Sequence, residues 1–304
     1  MDELTDTFRF DRTTDLHRAR VHAIHAVLSN STKPKNRETH ASAMDYALAH
    51  HFLEGAEVAA RCGDGDTLKW YRNRVGNPPL HWFAPTVLGP AIVQSPNPTS
   101  LRRSPIADTP YHLLNPDNEP PSLATVQLAS DAYEIAAELG FGGLLAAHAP
   151  IMCLLVERKL DEPLNSWAIS RLPGTVFCDH VGDPTILARD LIHEAGHNWL
   201  NDALTATGVD LDDGNTWHSP WKNTPRPTFG FIHSCWAFPL TMLFAARAAD
   251  HANRQVRRVL ATYLVQHRQK LAVTNLDHDR AAAAVTDRDL RQRLRVIHSL
   301  ASQL

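Results

Sequence analysis

Two histidines four residues apart, with a glutamate between them, form the segment His193-Glu194-Ala195-Gly196-His197. On a helix, residues at this spacing share a face, so both imidazoles can address one divalent ion. Glu194 then sits where it can reach a water or a substrate held on that ion. A chain with 18 histidines can produce such a pattern by chance, so its context decides. The motif falls inside a helical pattern to which Ile186, Leu191, Ile192, Ala195 and Leu204 give an apolar body. β-prone runs precede it, and further ligand candidates follow it.

Catalytic zinc or iron usually takes three protein ligands, so the pair is incomplete. An HExxHxxGxxH site is excluded, because this chain has Leu200 and Ala203 where glycine and histidine are needed. A glutamate from a following helix is excluded too, since no glutamate occurs after Glu194. His218, His233 and several aspartates remain. His218 lies in a polar stretch, where a solvated histidine is the default. His233 lies early in an apolar helix, where a buried ring needs partners for its nitrogens. A core histidine bonded to a carbonyl would meet that need, and so would a metal ligand. We take His193, His197 and His233 as the candidate metal ligands.

The elements that must position them are legible in outline. Asp15 to Leu28 and Ala41 to Arg61 carry helical spacing, with Lys33-Pro34 between them. Gly76 to Pro121 is rich in proline, Pro105 included, and reads as an extended, irregular connection. It suggests a division into an N-terminal helical region with its connection, residues 1–121, and a metal-binding domain, residues 122–304. Leu123 to His148 is helical again. Short β-prone runs follow at Ile151 to Val156, Ser166 to Ser170 and Thr175 to Cys178. Asp183-Pro184 opens the metal helix, expected over Thr185 to Thr207, and Gly208 ends it. A polar loop is expected up to Thr228, then helices over Phe229 to Leu271 and Thr286 to Ser302. The expected class is α+β and mostly helical, with a zincin-like metal helix backed by a small sheet; the zincin comparison is analogy.

Composition narrows the partners. The chain has 304 residues, 43% of them hydrophobic, and a net charge of −3, so no basic excess points to nucleic acid or an anionic membrane. Four scattered cysteines, with no CxxC pair, read as reduced thiols. The apolar run Phe231 to Ala246 is short of the ~20 residues of a membrane span, and contains His233 and Pro239. Met1 to Phe10 lacks the apolar run of a signal peptide, so the expected location is the cytoplasm. His22 and His25 share a helical face near His17, yet solvated surface histidines are the expected reading of all three. Asp212-Asp213-Gly214-Asn215 lacks the ligand pattern of a calcium loop and reads as a turn. Trp199, Trp217, Trp221 and Trp236 read as core or pocket wall.

Three segments together carry a family resemblance: Leu191 to His197, then Trp217-His218-Ser219-Pro220-Trp221-Lys222, then Pro225-Arg226-Pro227-Thr228-Phe229-Gly230-Phe231-Ile232-His233. In order and spacing these resemble the HExxH-motif proteins of ribosomal peptide natural product clusters, over about Ser166 to Ala246. The resemblance implies an iron(II)- and 2-oxoglutarate-dependent hydroxylase acting on side-chain carbons of a precursor peptide. It implies His193, His197 and His233 as iron ligands, with Glu194 either loosely coordinating or supporting. Arg226 would grip the distal carboxylate of 2-oxoglutarate as a fork, and Lys222 as a point charge, where the family loop often has arginine. HExxH by itself implies a different chemistry, a zinc metallopeptidase with Glu194 as general base. A peptide-binding protein with a vestigial site is the non-enzymatic reading.

Overall fold

The helix that carries His193 has strong signals at both ends. Asp183 caps it by accepting hydrogen bonds from the Thr185 and Ile186 amides, Pro184 occupies its first turn, and Gly208 ends it at φ 64°. The computed structural model describes residues 3–29, 42–103 and 109–304. Lys33-Pro34 and Pro105 lie outside them. Four helices come first: α1 (Glu3–Phe8), α2 (Asp11–Ser29), α3 (Ala43–Arg61) and α4 (Gly65–Arg74). Strands β1 (Phe83–Thr86), β2 (Gly89–Gln94), β3 (Arg102–Arg103) and β4 (Pro110–Tyr111) follow, then α5 (Leu123–Glu138) and α6 (Gly142–His148). Next come β5 (Ile151–Glu157), β6 (Ser166–Trp167), β7 (Thr175–His180) and α7 (Pro184–Thr207), which carries His193 and His197. The chain ends with β8 (Thr216–Ser219), β9 (Thr224–Pro227), α8 (Thr228–Ala248), α9 (Arg254–Ala272), α10 (Asn275–Ala282) and α11 (Arg288–Ser302). The fold is α+β, mostly helical, around a small mixed sheet.

The sheet runs β1-β2-β5-β7-β6, with β2, β5 and β7 parallel and the two outer strands antiparallel to their neighbours. Its central strands are buried on both faces, as parallel strands with helices on each side must be. Ala91, Val93, Met152, Leu154, Val176 and Cys178 face the core shared with α5, α7 and α8. Ile92 and Ile151 face the opposite way, against Tyr46, Ala47 and Phe52 of α3. The alternation fixes what the edge strand offers. Ser166 pairs with Cys178 and therefore faces α7, whereas Trp167 pairs with Phe177 and stacks on it across the other face.

Three expectations change. The proline-rich stretch supplies β1 and β2, so the sheet runs across the division expected at residue 121, and Leu4, Phe8 and Phe10 share the core of α7. Its prolines are tolerated because Pro85 and Pro90 pair on the edge hairpin. The polar loop after α7 contains the β8–β9 hairpin, in which Trp217 pairs with Arg226. Its tip carries Trp221, Lys222 and Asn223, the one non-glycine residue at positive φ among the described residues, a conformation asparagine tolerates. The helix expected over Phe229 to Leu271 is two helices, because Asn253 caps α9 through the Gln255 and Val256 amides, and α10 was not foreseen.

Helix α8 is longer than its apolar run suggested, and by length and composition it could cross a membrane. It is instead buried within the fold, packed by α7, α9, α10 and α11. Three of the four cysteines are buried thiols, and Cys62 is exposed.

Several buried histidines make the fold acid-labile, and His51 shows how. His51 joins α3 to the sheet: its Nε2 lies 2.9 Å from Thr175 Oγ1, and its Nδ1 accepts from the Leu114 amide at 3.3 Å. Both nitrogens are committed in the neutral tautomer. Burial, with His112 and His50 nearby, lowers its pKa to about 3. The unfolded chain takes up this proton below about 6.5 and the folded chain does not, so stability is full above that pH and falls as pH drops towards 3. Moving from pH 7 to pH 5 should remove about 2 kcal/mol through His51. Urea midpoints across this range should show the loss, and His51→Gln should reduce it by this share, the other buried histidines with lowered pKa values supplying the rest.

Candidate metal centre

Helix α7 presents His193 and His197 on one face, and α8 crosses that face carrying His233. The crossing is close because residue 196 is glycine: a Cβ there would meet Leu240 Cδ1 at 2.8 Å. Trp236 locks the contact by donating from Nε1 to the Gly196 carbonyl at 2.9 Å, and stacks on Trp199. These two tryptophans are core. The Nδ1 atoms of His197 and His233 consequently lie 2.9 Å apart. Each ring occupies the other's Nδ1, so the nitrogen that His233 has left for an ion is Nε2.

His193 does not yet join them. Its ring stands edge-on to His197 and edge-on to Phe238, each at 4.8 Å between centroids. The three histidines do not bring one nitrogen each within 4.8 Å of the others; among the described residues only His17, His148 and Asp202 form a group that does. The cause is local. His197 and His233 satisfy each other through one N–H···N contact, and His193 packs on an aromatic ring. A metal fits the donor set on two counts. His233 Nε2 is buried with no hydrogen-bond partner. Burial, reinforced by neighbouring charges, also depresses all three imidazole pKa values, His197 to about 4 under Arg226 and Lys222, so each ring is in the neutral form that ligates.

Glu194 is buried and accepts a hydrogen bond from Ser166 Oγ at 2.7 Å. The edge strand β6 therefore runs alongside the histidines. Burial raises the Glu194 carboxyl to about 8; Ser166, the Ala168 amide and Lys222 oppose this, and Asp190 adds to it. A divalent ion on the adjacent rings would draw it back down.

The two expected cations differ in placement. Arg226 is half-buried and its guanidinium lies over Gly230, where a Cβ would meet Nε at 2.7 Å. The glycine makes room for the arginine at the start of α8, beside His197 and His233. Lys222 is exposed on the hairpin tip but acts electrostatically on His193, Glu194 and His197. His218, the discarded ligand candidate, is exposed on β8.

The structure adds residues that the sequence reading did not single out. Arg189 lies one turn before His193, acts on that ring, pairs with Asp190 at 2.7 Å, and sits 5.4 Å over the Tyr263 ring. Tyr263 stacks on His267, His267 on Phe238, and Phe238 on Trp221, whose Nε1 donates to His267 Nδ1 at 2.9 Å. These rings wall the His193 side of the centre. Arg189 was within reach of sequence reasoning, since 189, 193 and 197 are successive positions on one helical face. Tyr263, His267 and Ser166 carry no local signal. A cavity of about 410 Å³, lined by Arg103, Arg158 and Trp167, touches none of the histidines. No protein-family model matches the chain, and no curated protein aligns with it.

Proposed function

We propose that this chain is an iron(II)- and 2-oxoglutarate-dependent hydroxylase, acting on a side-chain carbon of a ribosomally made precursor peptide in the cytoplasm. One observation carries the reading: three neutral histidines on α7 and α8 stand beside the cations Arg226 and Lys222, and no glutamate follows Glu194 in the chain. His193, His197 and His233 would hold the metal. A neutral donor set leaves the ion's two charges for an anionic cosubstrate, and Arg226 suits its distal carboxylate. The metal helix behind a small mixed sheet is zincin-like in this reading.

When bound, iron(II) and 2-oxoglutarate would let dioxygen act as the oxidant: one of its oxygen atoms would enter a C–H bond as hydroxyl, and the other would end in succinate as carbon dioxide is released. The chain's own residues do the rest. Trp221 and Phe238 exclude water from one side, and Ser166 fixes the Glu194 carboxyl. Strand β6 ends the sheet, and among the described residues no strand pairs with its outer edge. A peptide added there runs past the histidines, held by main-chain hydrogen bonds.

The same buried glutamate beside a sheet edge favours a second reading, a zinc metallopeptidase with Glu194 as general base. The two separate cleanly. Protein prepared anaerobically, loaded with iron, 2-oxoglutarate and the cognate peptide and then exposed to dioxygen, should yield succinate and a peptide heavier by one oxygen; no succinate with that peptide and dioxygen present would overturn the hydroxylase. Glu194→Gln should retain metal and measurable hydroxylation. Loss of peptide cleavage by ~10²–10⁴-fold in this variant would instead establish the peptidase.

A further inference from the structure

A second cluster of ligating side chains lies on the opposite side of α7 from His193 and His197. Asp202 projects there, together with Asn198, whose Nδ2 binds the His148 and Thr175 carbonyls. His17 from α2 places Nε2 2.8 Å from Asp202 Oδ2, and His148 at the end of α6 places Nδ1 3.4 Å from the same oxygen. The other Asp202 oxygen accepts from Tyr46 OH on α3 at 2.9 Å, which fixes the carboxylate, and the Tyr46 ring stacks on His17 at 3.8 Å. Four helices distant in sequence thus meet at one carboxylate.

A hydrogen-bonded Asp–His pair explains only part of this. His17 Nε2 and Tyr46 OH satisfy Asp202 between them. His148 Nδ1 is left buried with no hydrogen-bond partner, on a side chain only 2% exposed. A ring nitrogen so placed, aimed at a carboxylate oxygen that is already engaged, costs free energy unless something between them binds both. One nitrogen from each histidine and one carboxylate oxygen all lie within 4.8 Å of one another. The 2.8 and 3.4 Å separations bracket the roughly 3.3 Å expected between ligands of one zinc ion.

We infer that His17, His148 and Asp202 form a second metal site, for a zinc-class divalent ion, that is structural. Two imidazoles and one carboxylate suit zinc and exclude the oxygen-only preferences of calcium and magnesium. The side chains are 7%, 2% and 5% exposed, so no substrate reaches the ion. A fourth position falls to a trapped water or to His50, whose Nε2 is also buried without a partner, beside Tyr46. The ion pins α2 and α6 to the back of α7 and so braces the helix that carries His193 and His197. This inference stands independently of the chemistry proposed for the front of that helix.

The test uses the full chain with the front site removed as His193→Ala/His197→Ala and the exposed-face histidines removed as His22→Ala/His25→Ala. After dialysis against zinc and then zinc-free buffer, elemental analysis should find one equivalent of zinc. Chelation should lower the melting temperature and zinc should restore it. No retained zinc and no thermal response would overturn the site, and would leave His148 bound to a trapped water. Adding His148→Gln should abolish the remaining equivalent; retention of it would overturn the assignment. Should that variant fail to fold, zinc-edge absorption on the parent variant decides: two imidazole ligands support the site, and none overturns it.

Discussion

Replacing His233 with alanine should cost the front centre its metal and lower turnover at least ~10²-fold, while the fold survives. His233 is 7% exposed, its Nδ1 is 2.9 Å from His197 Nδ1, and its Nε2 has no protein partner. A core histidine of purely structural use would have both nitrogens engaged, and its loss would appear in stability alone. Here the loss should appear in metal content first, measured by elemental analysis after gel filtration, with circular dichroism as the check on folding. His218→Ala is the matched control. It removes the other downstream histidine, which is exposed on β8, and should change neither metal nor turnover. Full metal retention by His233→Ala would remove His233 from the ligand set. The variant also separates geometry from proximity: His193 must turn away from Phe238 to complete the site, and with two ligands at most it has little to turn towards.

The parts of this arrangement legible in the sequence were those set by local chemistry. Asp183, Pro184 and Gly208 delimit α7 almost to the residue, because caps and left-handed glycines act over a few positions. The burial of His233 was legible, because it lies early in an apolar run. Strand pairing was less so. Pro85 and Pro90 lie in real strands, and only their place on the sheet edge permits it, a fact fixed by the partner strand rather than by the segment. The β8–β9 hairpin was hidden likewise among prolines and charges. Helix α10 is too polar in Asn275–Ala282 to announce itself and forms by packing against α8 and α11. His17 is the sharpest case. In its own helix it resembles His22 as a surface residue, yet it is buried because Asp202, 185 positions away, meets it. Spacing arguments reach one helix turn at a time, and this contact spans most of the chain.

Asp202→Ala should therefore be among the most destabilising single substitutions available, about 3–5 kcal/mol even with metal chelated, because it removes one member of a buried polar pair and leaves the others in place. His17 Nε2 and Tyr46 OH would be left buried without a partner, and His148 Nδ1 would lose the carboxylate oxygen it faces at 3.4 Å. Burial opposes ionisation of Asp202, but the two histidines hold its carboxyl below the usual range, so the charge is part of what is lost. Asp202→Asn keeps an acceptor for Tyr46 and the side-chain volume, so it should cost less than alanine and report the lost charge together with the lost acceptor of His17. Urea denaturation of the chelated proteins gives the two costs, read as midpoint shifts at unchanged slope. Near-equal midpoints for wild type and Asp202→Ala would mean that the cluster is incidental to folding. The substitution also asks how the two faces of α7 communicate. Asp202 lies five positions after His197, on the far side of the same helix, and Asn198 ties that side to α6 and the sheet. If the back of α7 positions its front, Asp202→Asn should weaken metal retention at His193 and His197 without touching either ring.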